Sequence, residues 1–281
     1  MILPDRALIE IAGDDRKKFL QGLITNDVNK ATSENLIYAV MLNAQGRFLY
    51  DFFIFEKDEK LMLDCFSPRR DEILQKLSFY KLRSKVVIQK NDELQVSQNF
   101  SNSGFPDPRH SSLGYRSYTK NESDQSDNSY HLARIFNKIP ESEHDLTYEK
   151  SFILEFGFDE LHAIDYQKGC YIGQELTART HYLGQIRKKI FHIKIAFTAQ
   201  TGPRREDGVT IEGAMPKEAN LECLKNTEIT CEGKSVGIIL SSLFHESELH
   251  ALALIKLPQD QDFSEIAEKL ELAGHKIFIV S

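Results

Sequence analysis

The feature that most constrains this chain is a change of hydrophobic texture at Gly184. Beyond it, Phe191, Ile193, Ile195 and Phe197 alternate with His192, Lys194 and Ala196, the period of two that a half-buried strand requires. Short runs follow at 209–212, 228–231, 235–241, 249–257 and 276–280, separated by glycines and polar turns. That pattern predicts a small antiparallel barrel or sandwich. Residues 264–272 read as a helix inserted before the last strand.

Ahead of Gly184 helices and strands mix. Asp14 caps a short amphipathic helix over about 14–24, with Phe19, Leu20 and Leu23 on its buried stripe. Runs at 36–42, 48–55 and 61–66 read as strands. Ser67-Pro68 starts a helix whose stripe is Ile73, Leu74 and Leu77, and 86–88 and 94–96 return to strand. This order predicts an α+β unit with a helix-covered antiparallel sheet. The wholly polar stretch 121–129 reads as an exposed loop. A helix over 130–137 is stopped by Pro140, and 148–156 is a further apolar element.

Of the 281 residues, 41% are hydrophobic, enough to bury a core in two or three packed units. No run of 18 apolar residues occurs, and the opening residues lack a basic, then apolar, leader pattern. Neither a membrane span nor a signal peptide is expected, and the expected location is cytoplasmic. The four cysteines, Cys65, Cys170, Cys223 and Cys231, are widely spaced with no Cys-x-x-Cys. That argues against a disulfide framework and against a self-contained metal or cluster site. A net charge of −7 disfavours nucleic acid as a direct ligand. Locally the sign reverses: Lys168 to Arg205 holds eight basic residues, Lys168, Arg179, Arg187, Lys188, Lys189, Lys194, Arg204 and Arg205, against the single acid Glu175. This is either a solvated face or an anion site.

The segment Lys168-Gly169-Cys170-Tyr171-Ile172-Gly173-Gln174-Glu175 is the expected working centre. Glycines on both sides allow unusual backbone angles and close approach to a ligand. Good helix formers run from Gln174 to Arg179, so Cys170 precedes a helix N-terminus, where the dipole favours a thiolate. Lys168, with Arg179 or His181, is expected to push the same way. Cys65, Cys223 and Cys231 read as packing residues. A Cys170–His181 nucleophile pair is a weaker alternative, because no oxyanion feature is visible.

Lys168 to Glu175 followed by Leu-Thr-Ala-Arg179-Thr resembles the signature of the YgfZ-type folate-binding iron-sulfur assembly factors, relatives of the glycine-cleavage T-protein. Phe19-Leu20-Gln21-Gly22, Thr25-Asn26-Asp27-Val28, Asn43-Ala44-Gln45-Gly46-Arg47, Asp107-Pro108-Arg109 and Leu113-Gly114-Tyr115-Arg116 extend it over most of the chain. The resemblance implies a T-protein-like α+β fold of three domains. These are a discontinuous folate-binding domain (1–45 plus 130–185), a ferredoxin-like domain (46–119) and a C-terminal antiparallel β-barrel (186–281), with an exposed loop at 120–129. It also implies tetrahydrofolate or a one-carbon derivative as cofactor. The implied partners are the iron-sulfur assembly machinery or client iron-sulfur proteins, with no membrane.

The resemblance carries site residues too. Cys170 is the reactive cysteine, within a motif formed by Lys168, Gly169, Tyr171, Gly173, Gln174, Glu175 and Arg179. Glu155, in Ile153-Leu154-Glu155, matches the carboxylate that grips the pterin, for which a two-point hydrogen bond is the natural geometry; a plainly solvated carboxylate is the other reading. Asn26 and Arg179 join it as expected folate contacts. The T-protein aspartate pair corresponds to Tyr50-Asp51, leaving one carboxylate, and Asp64 stands where that protein has a pterin-contacting asparagine. Both departures count against aminomethyl transfer from a lipoyl carrier, the alternative reaction, in which Asp51 would be central. A non-catalytic interaction module is a third reading.

Overall fold

The computed structural model describes residues 1–120, 128–196, 224–246, 248–258, 263–272 and 275–280. The expected strand at 209–212, Cys223, Arg204, Arg205 and most of the polar stretch 121–129 lie outside the described residues. The chain divides into two compact units, Met1–Tyr130 with Glu141–Gln185, and His131–Pro140 with Ile186–Ser281.

The first unit is built on a five-stranded antiparallel sheet. Its strands are β1 (Arg6–Ala12), β2 (Ile37–Leu42), β3 (Phe48–Lys57), β4 (Lys60–Phe66) and β5 (Val87–Asn91), in the order β2-β3-β4-β1-β5. Two helices, α1 (Arg16–Gln21) and α2 (Arg70–Lys81), cover one face. The alternation of β3 sorts its side chains. Tyr50, Phe52 and Ile54 face the helices, in a core with Phe19, Leu20, Ile73, Leu77 and Cys65. Phe53 and Phe55 face the other way, towards a second sheet of β6 (Gln95–Asn99), β7 (Phe105–Pro106) and β8 (Tyr115–Thr119), where Phe55 stacks on Tyr118 with ring centres 4.4 Å apart. Because both faces are covered, β2 is buried at every position, which is why these strands read as apolar runs rather than alternating ones. Strand β1 escapes the sequence reading, although Leu8, Ile9 and Ile11 are fully buried and pair it between β4 and β5.

Helix α3 (Ser129–Phe136) leads to the short α4 (Ser142–Asp145), and α5 (Gln174–Leu183) follows the cysteine segment. The second unit holds β9 (Lys188–Ala196), β10 (Glu228–Cys231), β11 (Lys234–His245), β12 (Glu248–Lys256), α6 (Phe263–Ala267), β13 (Leu270–Leu272), β14 (His275–Lys276) and β15 (Phe278–Val280). They form an antiparallel sheet in the order β14-β13-β10-β11-β12-β9-β15. Strands β14 and β15 are separated only by Ile277, yet stand at opposite ends of that order. The sheet therefore curls until its edges approach, and register shifts at Ile229/Thr230 and Ile239/Ser241 supply local bends. The expected helix over 264–272 ends at Ala267, because Leu270 and Leu272 alternate into the core and pair with β10. The polar positions of β9 are not all wet: His192 is buried, 3.0 Å from His250, with Phe136 stacked on it.

Candidate functional site

The cysteine segment lies in the first unit, where three of the quoted motifs converge on it. Lys168 Nζ donates to the carbonyl oxygens of Gln21 at 2.8 Å, Ile24 at 2.7 Å and Asn26 at 2.8 Å. An ammonium has three hydrogens, and each has an acceptor. Burial pulls this ammonium down to about 8, with Asp27 and Asp165 pulling the other way, so it keeps its charge at neutral pH. Lys168 is thus an anchor into the turn after α1. The Ile172 N–H donates to Gly22 O at 3.2 Å, fixing the other side of Cys170 to the same turn.

The third anchor is a meeting of two glycines. Gly46 (φ +70°) and Gly173 (φ +84°) both take backbone angles that side chains rarely adopt. A Cβ on Gly173 would stand 2.5 Å from Asn43 O, and one on Gly46 3.1 Å from Gly173 O. Asn43 shapes its turn by accepting from the Gln45 and Arg47 N–H groups at 3.0 and 2.9 Å. Gln174 opens α5 with a reciprocal bond: its Oε1 accepts from Tyr171 N at 3.2 Å, and its own N–H donates to Tyr171 O at 3.3 Å. Tyr171 is buried, whereas Gly169 and Cys170 are exposed. The other cysteines differ. Cys65 is buried and its thiol is pushed up to about 12, chiefly by burial, while Cys231 is half-buried.

Glu175 and Arg179 are exposed on α5, and His181, in its last turn, stacks on Tyr166 at 3.8 Å. Glu155 is half-buried on the 3-10 turn Ile153–Phe156. Asn26 donates through Nδ2 to Tyr38 O and His162 O at 2.8 and 2.9 Å, and its Oδ1 accepts from Asp27 N at 2.8 Å. Its amide is therefore committed to holding backbone.

Asp51 and Asp64 sit elsewhere, on the face of the five-stranded sheet turned from the helices. Asp51 accepts from Arg6 Nη1 at 2.9 Å, Tyr38 Oη at 2.9 Å and Ser142 Oγ at 2.8 Å. Asp64 accepts from Arg6 Nε and Arg116 Nη2, both at 2.6 Å, and from Tyr118 Oη at 3.1 Å. Arg109 pairs with Asp107 at 2.8 Å, and the Arg116 and Arg109 guanidiniums lie 3.7 and 4.8 Å from the centre of the Phe53 ring. Burial pushes the Asp64 carboxyl up, but Arg116 and Arg6 outweigh it and hold it below its usual value. Three arginines thus balance three aspartates inside the protein, the condition under which buried charge is tolerated. Arg6, Tyr38 and Ser142 were not picked out from the sequence, since no local pattern marks them. Arg109 and Arg116 stood in quoted motifs without a role. Beside this cluster, burial first and then Asp51 push the Glu143 carboxyl up to about 8.

Among the described residues, no three His, Cys, Asp or Glu side chains gather as a metal site, and no helix is long and apolar enough to cross a membrane.

No protein-family model matches the chain. A solved structure of the glycine cleavage system aminomethyltransferase T from Bartonella henselae superposes on all of the chain and 84% of its own, with a TM-score of 0.69 at 10% identity. That likeness establishes the T-protein fold. Among sequence relatives, the mitochondrial iron-sulfur cluster assembly factor IBA57 homolog of Mycosarcoma maydis is 34% identical over 234 residues, 72% of this chain and 58% of that protein. The IBA57 proteins of Mus musculus and Homo sapiens are 32% and 30% identical, covering 74% and 84% of this chain and 68% and 72% of their own. The chain spans 58% and 52% of the lengths of the Mycosarcoma maydis and Neurospora crassa relatives. These relatives are mitochondrial proteins, which overturns the expected cytoplasmic location; composition carries no signal that separates the two compartments. With an identity above 30% to relatives of which it covers more than two thirds, the chain belongs to the IBA57 family of iron-sulfur cluster assembly factors.

Proposed function

We propose that this protein acts in iron-sulfur cluster assembly through the Cys170 thiol, with tetrahydrofolate or a one-carbon derivative bound in the same protein. The observation that carries the reading is an exposed sulfur on a loop anchored by Lys168, by Ile172 and by the paired glycines Gly46 and Gly173. A packing cysteine needs no such mount; Cys65 has none and is buried. One thiolate cannot complete a cluster's ligand set, so the remaining ligands come from the partner that exchanges with it, a carrier of the assembly machinery or a client iron-sulfur protein.

For folate, the donor sets divide the candidates. Asp64 is saturated by arginine and tyrosine donors, and Asn26 by backbone. We assign the contacts to Glu155, whose carboxylate suits the ring N–H and exocyclic amine of a pterin, and to the exposed Arg179 for the glutamate tail. Folate would supply a one-carbon carrier beside the cysteine chemistry. Aminomethyl transfer has no observation in its favour, since both Asp51 oxygens are engaged internally.

The test is complementation of a strain lacking the factor with wild type, Cys170→Ala and Glu155→Gln, with assays of cluster-dependent enzymes and of folate binding. Loss of enzyme activity with Cys170→Ala, and of folate affinity with Glu155→Gln, is the expected result. Full rescue by Cys170→Ala removes the cysteine from the function.

A further inference from the structure

The C-terminal end of α2 breaks two habits of soluble proteins. Phe79 and Leu82 are 75% and 87% exposed, and Leu82 sits at φ 44°, ψ −111°, where a branched side chain costs about 1–3 kcal/mol. No packing of Leu82 offsets that cost. Next to it lies a cleft of about 400 Å³, floored by Phe19, Leu23 and Tyr80 and rimmed by Lys18, Arg83, Ser84 and one acid, Asp15, whose carboxylate accepts from the Lys85 N–H at 2.7 Å. From Lys76 to Lys85 the chain carries four cations and no acid, within a protein of net charge −7. Among the described residues, the side-chain cations of Lys18, Lys81, Arg83 and Lys85 form no salt bridge, while those of the neighbouring Arg16 and Lys17 both pair with Glu56.

An apolar, concave floor under a rim whose cations, Lys18 and Arg83, outnumber its one acid is complementary to an acidic segment that carries a large apolar side chain. A concave floor suits a protruding side chain, whereas a lipid surface calls for a convex one. The position adds a reason. Phe19 belongs to α1, and two and three residues on, ~3–5 Å at the rise of a helix, the Gln21 and Gly22 carbonyls hold Lys168 and Ile172.

We propose that the cleft between α1 and the end of α2 is a docking site for an acidic, apolar-tipped segment of a protein partner, seated on the helix that anchors the Cys170 loop. The docking stands on the cleft itself; its purpose, presenting the partner to Cys170, rests on the function proposed above.

The experiment is fluorescence anisotropy with the full-length protein and a dye-labelled acidic peptide with a Leu-Phe centre flanked by Asp and Glu. A control peptide carries Lys in place of each acid, and phosphatidylserine vesicles form a third arm. The acidic peptide is expected to bind, to weaken with added salt, and to lose about tenfold or more in affinity in Lys18→Glu/Arg83→Glu and in Phe79→Ser/Leu82→Ser. Most of these side chains are exposed, and thermal melts confirm that the variants fold. Equal binding of the basic peptide, binding untouched by both double variants, or binding of vesicles without the peptide overturns the proposal. Cys170→Ala is expected to bind the peptide as wild type does. If that variant also restores cluster-dependent enzymes, the cysteine reading fails while the docking result stands.

Discussion

The Cys170 loop and the charge cluster around Phe53 share the first unit and solve opposite problems. The loop exposes a thiol, and it is held by backbone, a lysine ammonium, the Gln174 amide oxygen and two glycines that meet without side chains. The cluster exposes nothing: Arg6, Arg109, Arg116, Asp51, Asp64 and Asp107 are turned towards one another. Motif likeness proposed work for residues in both places. The difference teaches that a carboxylate's role is decided by the donors that reach it from afar, here from Arg6, Arg116 and Ser142, and not by the motif it stands in.

The comparison breaks most visibly at Asp64. Asp64→Ala leaves three buried arginines against two aspartates, with Arg6 held only by Asp51 and Arg116 only by Asp107 at 3.9 Å, and should cost about 3–5 kcal/mol, read as a shift in denaturant midpoint. A loss under about 1 kcal/mol would mean that water already reaches the cluster. Next comes the loop's mount. Gly173→Ala sets a Cβ against Asn43 O at a positive φ and should cost about 1–3 kcal/mol, with cluster-enzyme activity falling alongside.

A pH series sharpens the contrast further. Glu143 has a folded pKa near 8, above its ordinary 4.5, so the folded state binds more protons between those values. Its contribution to stability is complete below the ordinary value and is lost as pH rises through 8. Glu143→Gln should flatten that decline in thermal melts run from about pH 5 to about pH 9; an unchanged slope assigns the decline to another group. The smallest effect belongs to Cys170→Ala, which should leave stability within about 0.5 kcal/mol while abolishing complementation.

Much of the fold was legible because its strands are long and apolar. β2, β3, β4 and the alternation of β9 follow from side-chain period, and α2 follows from its Ser67-Pro68 start and its stripe. The short pieces were not. Leu270–Leu272 gives a single alternation, too little to separate strand from helix, and β1 is recognised as a strand only by its partners β4 and β5. At the site, the exposure of Cys170 followed from its glycines and polar neighbours. The task of Lys168 did not, since its three acceptors lie more than a hundred residues earlier in the chain. The same distance hid the fate of Asp51 and Asp64.

The mount of Cys170 also sets the manner of any exchange. A sulfur whose loop is tied two residues before it and two after it has a short reach of its own. Whatever trades atoms with it must travel the last few ångströms itself, to the ~2.3 Å of a metal–thiolate bond. Selectivity then lies in the shape of the visitor.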